Sequence, residues 1–192
     1  VDNSGMVTAV GKGTATITAT TVDGNKTDTI TITVPIVVQG VELLKKAVQE
    51  DADDGDAIVL RAGRYELDET LVITKSIKIL GPQANVDPRP STNSSRTDDN
   101  NEAVLTGDKG DTNDYSIQSA ARDAGWLESI FEIKAHNVVL NGLTLERTYN
   151  HIIYTSTNGE GENLRGLEIV NNIVRYGRGN EGIKVGSTIN TL

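Results

Sequence analysis

Short strand-like segments recur along the last third of the chain at intervals of roughly 20–30 residues. Gly142-Leu143-Thr144-Leu145 resembles the later Gly166-Leu167-Glu168-Ile169. Ile152-Ile153-Tyr154 resembles the later Ile183-Lys184-Val185, and Phe131-Glu132-Ile133 is the same element one repeat earlier. No helical pattern of about 10–15 residues separates these segments, which argues against alternating strands and helices. Short strands repeated at this interval are typical of a solenoid.

Alternation along these segments assigns each side chain to a face, because successive residues of a strand point to opposite sides. We expect the inward positions to be Phe131, Ile133, Ile152, Tyr154, Ile183 and Val185, with Leu143, Leu145, Leu167 and Ile169 on the neighbouring sheet. The outward positions are then Glu132, Ile153, Lys184, Thr144 and Glu168.

The N-terminal segment, up to Pro35, has a different composition, rich in Thr, Val, Ile and Ala. Residues 14–20 and 29–34 alternate strictly between polar and apolar, and Asp23-Gly24-Asn25 lies between them. This pattern predicts an antiparallel hairpin, and Met6–Val10 reads as a third short strand. Pro35 ends the last strand, because proline has no N–H to donate, and residues 36–40 read as a linker.

Residues 41–50 carry apolar side chains at helical spacing, and the acidic run 51–56 ends that pattern at a solvated turn. From residue 57 short strands alternate with turns, and a polar loop precedes the strand at 102–107. Residues 108–114 lack the glycine and glutamate of an EF-hand and predict a solvent loop rather than a calcium site. Residues 115–126 predict a short helix.

The phrase from Val1 to Ile17, VDNSGMVTAVGKGTATI, resembles the C-terminal half of a bacterial Ig-like domain of group 2. The resemblance assigns residues 1–35 to that domain. It implies an extracellular β-sandwich module of a bacterial surface protein.

Residues 55–65, 75–82 and 137–145 resemble the opening coils of a right-handed parallel β-helix of the pectate-lyase-like superfamily. The resemblance covers residues 41–192, and the helix at 41–50 would cap the hydrophobic end of the solenoid. The predicted fold class is therefore all-β: N-terminal coils of a parallel β-helix with a capping helix, preceded by part of an Ig-like β-sandwich.

The composition of the chain limits the classes of partner that it can bind. The formal net charge of −9 argues against nucleic acid, which requires a basic face. No apolar run is long enough to span a membrane, and the absence of cysteine excludes disulfides and thiolate chemistry. The chain opens at Val1 without an initiator methionine, so we expect a piece of a longer protein that is extracellular or attached to the cell wall or surface.

Basic residues are concentrated near the end of the sequence. Residues 41–146 contain 20 acidic and 11 basic residues, a balance of −9, whereas residues 147–192 contain 4 acidic and 5 basic residues, a balance of +1. Residues 147–151 and 175–181 read as corresponding turns that carry arginine and tyrosine. A guanidinium can bind a carboxylate through two parallel hydrogen bonds, and a tyrosine can stack on a sugar ring or donate a hydrogen bond to it. These turns are therefore suited to bind an acidic sugar.

The superfamily that the chain resembles includes polysaccharide lyases, which cleave uronate chains by β-elimination. This resemblance implies a base, for which Lys184 or Arg178 is the candidate, and a clamp that neutralises the uronate carboxylate. The clamp and substrate-binding candidates are Arg147, Tyr149, His151, Arg175 and Tyr176. Calcium is a possible cofactor, and the expected partner is an acidic polysaccharide.

Three alternatives stay open. The basic residues can be solvated turn charges, and the protein can be a non-enzymatic surface adhesin or structural stalk. The same superfamily also includes glycoside hydrolases, which use paired carboxylates. The outward or turn acids available for that reaction are Glu132, Glu168 and Glu181.

Overall fold

A computed structural model describes residues 4–89, 96, 101–111, 113–156, 164–179 and 181–186. The described residues are mostly β, with two short helical segments. The strands are β1 (Gly13–Thr20), β2 (Thr27–Val34), β3 (Ile36–Val38), β4 (Ala57–Leu60), β5 (Gly63–Glu66), β6 (Leu71–Ile73), β7 (Lys78–Leu80), β8 (Ala103–Thr106), β9 (Phe131–Ile133), β10 (Val139–Asn141), β11 (Thr144–Thr148), β12 (Ile153–Thr155), β13 (Glu168–Val170), β14 (Ile173–Gly177) and β15 (Ile183–Val185). The helices are α1 (Val41–Lys46), continued by a π-helical turn over Ala47–Asp51, and α2 (Gln118–Asp123), which confirms the short helix predicted within 115–126.

The predicted hairpin is confirmed: β1 and β2 pair antiparallel with Ile17 opposite Ile30. Its turn is closed by Asp23, whose carboxylate accepts hydrogen bonds from the Thr21 hydroxyl and, at 3.1 Å, from the Asn25 amide. These bonds lower the pKa of Asp23 to about 2, because they favour the ionised form. Met6–Val10 is not a strand, so the predicted third strand is wrong.

Strands β3 to β15 form three parallel sheets. The first sheet contains β3, β4, β7, β10 and β13; the second contains β5, β8, β11 and β14; the third contains β6, β9, β12 and β15. From β4 onward, consecutive strands enter the first, second and third sheets in turn and then return to the first. We call each such set of three strands a circuit. The residues 36–40, predicted as a linker, include β3, the edge strand of the first sheet.

The predicted helix at 41–50 is confirmed and packs onto the first circuit. Leu44 and Val48 are buried in the hydrophobic core, which runs through all three sheets. The acidic turn that follows is not free of contacts: Lys12, beside the hairpin, lies 2.9 Å from Asp53 and 2.7 Å from Asp56. The hydrogen bonds from Lys12 and from the Asp53 amide lower the pKa of Asp56.

The register of the third sheet differs from the predicted one by a single residue. Ile153 pairs with Phe131 and with Ile183, and Tyr154 pairs with Glu132 and with Lys184. Ile153 is therefore inward and fully buried, and Tyr154 faces outward. The predicted outward Ile153 and inward Tyr154 are wrong, because a shift of one residue exchanges the two faces of a strand.

The predicted match between the segments that begin at Gly142 and Gly166 is also wrong. Leu140 pairs with Ile169 in the first sheet and Leu145 pairs with Val174 in the second. Both pairs have the same separation as Glu146 and Arg175, which are 29 positions apart. Thr144, predicted as outward, is buried, and its hydroxyl donates to Glu102 at 3.0 Å.

The segment 137–146 is divided at a corner. Gly142 has a φ of 75° and separates β10 from β11. A Cβ atom there would lie 2.2 Å from the backbone nitrogen of Ala84, so the corner requires glycine. This corner turns the chain from the first sheet into the second, where Arg147, Arg175 and Tyr176 lie. The end of the predicted β-helix, residues 187–192, lies outside the described residues.

Candidate functional site

Two neighbouring turns of the second sheet carry the predicted arginines. Strands β11 and β14 pair in register, with Glu146 opposite Arg175, and the next residues, Arg147 and Tyr176, both have a φ of 59°. The left-handed backbone at both positions makes the chain leave the sheet in the same way in successive circuits. The prediction that these turns correspond is confirmed.

Three guanidinium groups surround the Tyr176 ring. The guanidinium carbons of Arg147 and Arg178 each lie 5.8 Å from its centroid, and that of Arg175 lies 5.5 Å away. Tyr176 is 46% exposed, and these distances are within the range of cation–π contacts. We call Arg147, Arg175, Tyr176 and Arg178 the arginine–tyrosine cluster.

Two buried carboxylates lie beneath this cluster. Glu146 is 3% exposed; its Oε2 lies 2.6 Å from the Nε of Arg175 and its Oε1 accepts from Arg64 at 2.9 Å. Asp108 is 2% exposed; its Oδ2 accepts from Arg64 at 2.9 Å and lies 3.6 Å from the Nε of Arg147. Asp108 is therefore not a residue of a solvent loop, as predicted, because it anchors two arginines.

Arg64 links the first circuit to this network. Burial alone would lower the pKa of Arg64, but its hydrogen bond to Glu146 and the charges of Asp108 and Glu146 outweigh burial and raise it. A depression of about 240 Å³ lies beside these groups and is lined by Arg64, Glu66, Asp108, Gly110 and Arg147. The four arginines face four acids, Glu66, Asp108, Asp114 and Glu146, so the charge of the whole network is balanced.

Arg178 is held differently from the other arginines of the cluster. Its guanidinium pairs with Asp114, whose side chain is 70% exposed, rather than with a buried acid. The Arg178 side chain is 17% exposed, so Asp114 is the solvated end of this pair and the partner that another carboxylate can replace from solvent. Arg178 is thus the arginine of the cluster whose partner is exchangeable.

A separate pocket of about 310 Å³ lies on the outward face of the third sheet. In-register pairing places Glu132, Tyr154 and Lys184 side by side on β9, β12 and β15, about 4.8 Å apart. The remaining lining residues come from the segments that join the second sheet to the third: Thr70, Glu128, Ser129, Asn150 and His151.

His151 is the most buried of the predicted site residues, at 7% exposure. Its Nδ1 lies 3.2 Å from the backbone oxygen of Glu181, and its ring stacks on Tyr154 with centroids 6.0 Å apart and planes 21° apart. Because a carbonyl oxygen only accepts, Nδ1 carries the proton in the neutral ring. Nε2 is then the nitrogen with a free lone pair.

The two glutamates of the pocket each have polar partners. Glu128 accepts a hydrogen bond from the Asn150 side chain at 3.1 Å. Glu132 accepts from the Ser156 hydroxyl at 3.0 Å and lies 3.0 Å from the Lys134 ammonium. The pocket therefore combines a histidine, a tyrosine, a lysine and two hydrogen-bonded carboxylates.

The structure divides the predicted site residues between these two places. Arg147, Arg175, Tyr176 and Arg178 lie together on the second sheet, whereas Lys184 and His151 lie in the pocket of the third sheet. Lys184 and Arg178, the two candidates for the base, thus belong to different groups.

Tyr149 lies at the corner between the two groups. Its amide donates to the backbone oxygen of Leu127 at 2.9 Å. Burial, and then the negative charge of Glu128, raise the pKa of its phenol.

The residues that sequence reasoning missed include Arg64, Asp108 and Glu146 of the charge network, and Glu128 and Tyr154 of the pocket. Arg64 and Glu146 are 82 positions apart in the chain, and only their adjacent columns on the second sheet bring them together. The signal that could have found Glu146 is the repeat interval of 29 positions, which places Arg175 beside it.

Calcium was a possible cofactor on sequence grounds. Among the described residues, no group of three or more His, Asp or Glu side chains is placed to hold a metal ion.

The chain matches no protein-family model, no curated protein and no solved structure. No helix in the described part of the chain combines the length and the apolar character that crossing a bilayer requires.

Proposed function

We propose that this chain forms the helix-capped opening coils of a right-handed parallel β-helix in a secreted or cell-surface protein, and that it binds an acidic polysaccharide and cleaves it by β-elimination. The regular return of strands β4 to β15 to three parallel sheets supports the β-helix. The hairpin of β1 and β2 is consistent with part of an Ig-like module.

The arginine–tyrosine cluster is the observation that best supports an acidic polysaccharide as the substrate. A uronate ring can stack on the exposed face of Tyr176, as sugars do on aromatic side chains, while its carboxylate takes the place of Asp114 at Arg178. Arg147 and Arg175 are held beneath by buried acids and so are already ordered when the sugar arrives. Preordered donors bind a ligand at a lower entropic cost.

The binding test measures the affinity of the protein for polygalacturonate and alginate by affinity electrophoresis, with neutral dextran as the reference. Tyr176→Ala and Arg178→Ala should each weaken binding about tenfold or more, the effect of losing one charge-assisted contact. Arg122→Ala is the matched control, because Arg122 is exposed and pairs with the exposed Asp123. Unchanged affinity in both cluster variants would contradict the proposed binding surface.

The reaction test follows the ultraviolet absorbance of the unsaturated uronate ends that β-elimination leaves, with and without calcium. A rise on one of the acidic polysaccharides supports a lyase. Binding without unsaturated ends and without new reducing ends would instead identify a non-enzymatic adhesin.

Hydrolysis is the second candidate reaction, because Glu128 and Glu132 line the same pocket. A hydrolase needs two carboxylates that flank the scissile bond. New reducing ends without a rise in ultraviolet absorbance would favour it. Loss of those ends in both Glu128→Gln and Glu132→Gln would then assign the pair.

A further inference from the structure

We propose that His151, Tyr154 and Lys184 form the reacting centre for the elimination, in the pocket of the third sheet. This inference rests on the proposed function and names the residues that would move protons in it. The arginine–tyrosine cluster then holds the chain of sugars, and the pocket acts on the bond to be broken.

His151 has the properties of a general base. It is nine-tenths buried, it lines a pocket of about 310 Å³, and the Glu181 carbonyl keeps the proton on Nδ1. An imidazole with a free Nε2 lone pair can accept a proton, whereas a guanidinium stays protonated and cannot. This argues for His151 as the base in preference to Arg178.

Tyr154 and Lys184 supply the other two requirements of the reaction. The register places Lys184 on the strand next to Tyr154, and the Tyr154 ring stacks on His151. A cation facing the uronate carboxylate makes the C5 proton more acidic, and a phenol can protonate the leaving oxygen. Glu128 and Glu132 are engaged by Asn150, Ser156 and Lys134.

The step balances without any oxidant or metal. Nε2 of His151 takes the C5 proton, and the electron pair of that C–H bond forms the C4–C5 double bond. The bond between C4 and the glycosidic oxygen breaks, and that oxygen takes the phenolic proton of Tyr154. Water then returns the proton from His151 to the Tyr154 phenolate.

The test compares His151→Gln with His136→Gln. His136 is the other histidine of the chain; it is half-buried, and its Nδ1 accepts the Arg165 amide at 3.0 Å. His151→Gln should lower kcat on the substrate polysaccharide about 10²- to 10⁴-fold, the usual contribution of general acid–base catalysis, and leave binding to polygalacturonate unchanged. His136→Gln should leave both unchanged.

Two further variants separate chemistry from folding. In His151→Gly, added imidazole should restore part of the elimination rate, which no structural role would produce. Tyr154→Phe keeps the ring and removes only the proton donor, so kcat should fall about 100-fold with little change in the melting temperature. Thermal unfolding of each variant checks that the fold is kept.

The outcomes distinguish the two proposals. In one outcome the wild-type protein cleaves the polysaccharide by elimination, but His151→Gln or Tyr154→Phe keeps kcat within about threefold of wild type. That change is far smaller than the loss that general acid–base catalysis implies. The proposed reacting centre is then wrong, while the proposed lyase activity is supported. If the wild-type protein binds acidic polysaccharide without elimination, the lyase and this centre are both wrong. Failure to bind at all overturns the arginine–tyrosine cluster.

Discussion

Glu146 on β11 and Glu132 on β9 are both outward glutamates of neighbouring sheets, yet their surroundings differ. Glu146 is 3% exposed and pairs with Arg64 and Arg175, whereas the Glu132 side chain is 26% exposed and lines a pocket. On the face of the second sheet the carboxylates of Glu146 and Asp108 are buried and paired with arginines, whereas on the face of the third sheet Glu132 lines a pocket. The buried acids of the second sheet should therefore govern stability, and the charged groups around the pocket of the third sheet should govern catalysis.

The buried pair of Arg96 and Glu102 gives the most severe test of this comparison. Both oxygens of Glu102 accept from Arg96, at 2.8 and 2.9 Å, and Glu102 also accepts from Thr144 on β11. Glu102→Leu should lower the free energy of unfolding by about 3–5 kcal/mol, because it leaves a buried guanidinium charge without a carboxylate, bonded only to the backbone oxygens of Val86, Asn171 and Leu143. Urea unfolding followed by circular dichroism measures the loss.

The double variant Arg96→Met with Glu102→Leu is the control for this prediction. It removes both charges together, so it should recover most of the stability that Glu102→Leu loses. If Glu102→Leu costs less than about 1 kcal/mol, the value typical of an exposed pair, the pair of Arg96 and Glu102 is accessible to solvent.

A matched pair of substitutions sharpens the comparison. Glu146→Gln and Glu132→Gln change the same side chain on the two faces. Glu146→Gln should cost about 1.5–3 kcal/mol, the contribution of a hydrogen bond to a charged group. Glu132→Gln should cost less than about 1 kcal/mol, because its partners lie at a partly exposed surface. Equal losses in thermal and urea unfolding would mean that burial does not separate the two faces.

Much of the fold could be predicted because its pattern is local. The hairpin follows from strict alternation around Asp23-Gly24-Asn25, and the helix at 41–50 follows from apolar spacing. Register could not be predicted as well. Ile152 and Ile153 are identical neighbours, so alternation fits either of them in the inward position, and only pairing with Phe131 selects Ile153.

Two glycines also led to a wrong repeat interval in the sequence analysis. Gly142 and Gly166 both have left-handed backbones, with φ of 75° and 67°, and both precede a leucine. Gly142 turns the chain from the first sheet to the second, whereas Gly166 precedes a strand of the first sheet. Similar corners thus occur at different places in the circuit, and a match between them does not give the repeat interval.

The candidate site, like the register, could be predicted only in part from the sequence. Arg147, Arg175 and Tyr176 could be grouped because they lie on adjacent repeats. Asp108 could not, because an acid in a polar loop looks solvated until Arg64 is placed above it. The sequence therefore suggested which residues were exposed at the turns and missed the acids that hold them.

Tyr149, at the corner between the two faces, gives the smallest expected effect. Burial and Glu128 raise the pKa of its phenol in the folded protein, while the unfolded value is about 10. The stability that this group contributes is fully present below pH of about 10 and is lost as the pH rises through the folded pKa, because the unfolded chain releases the proton first. Wild-type protein should therefore lose melting temperature more steeply above pH of about 10 than Tyr149→Phe does. If wild type and Tyr149→Phe have identical profiles of melting temperature against pH from about 8 to 11.5, the Tyr149 phenol is solvated in the folded protein.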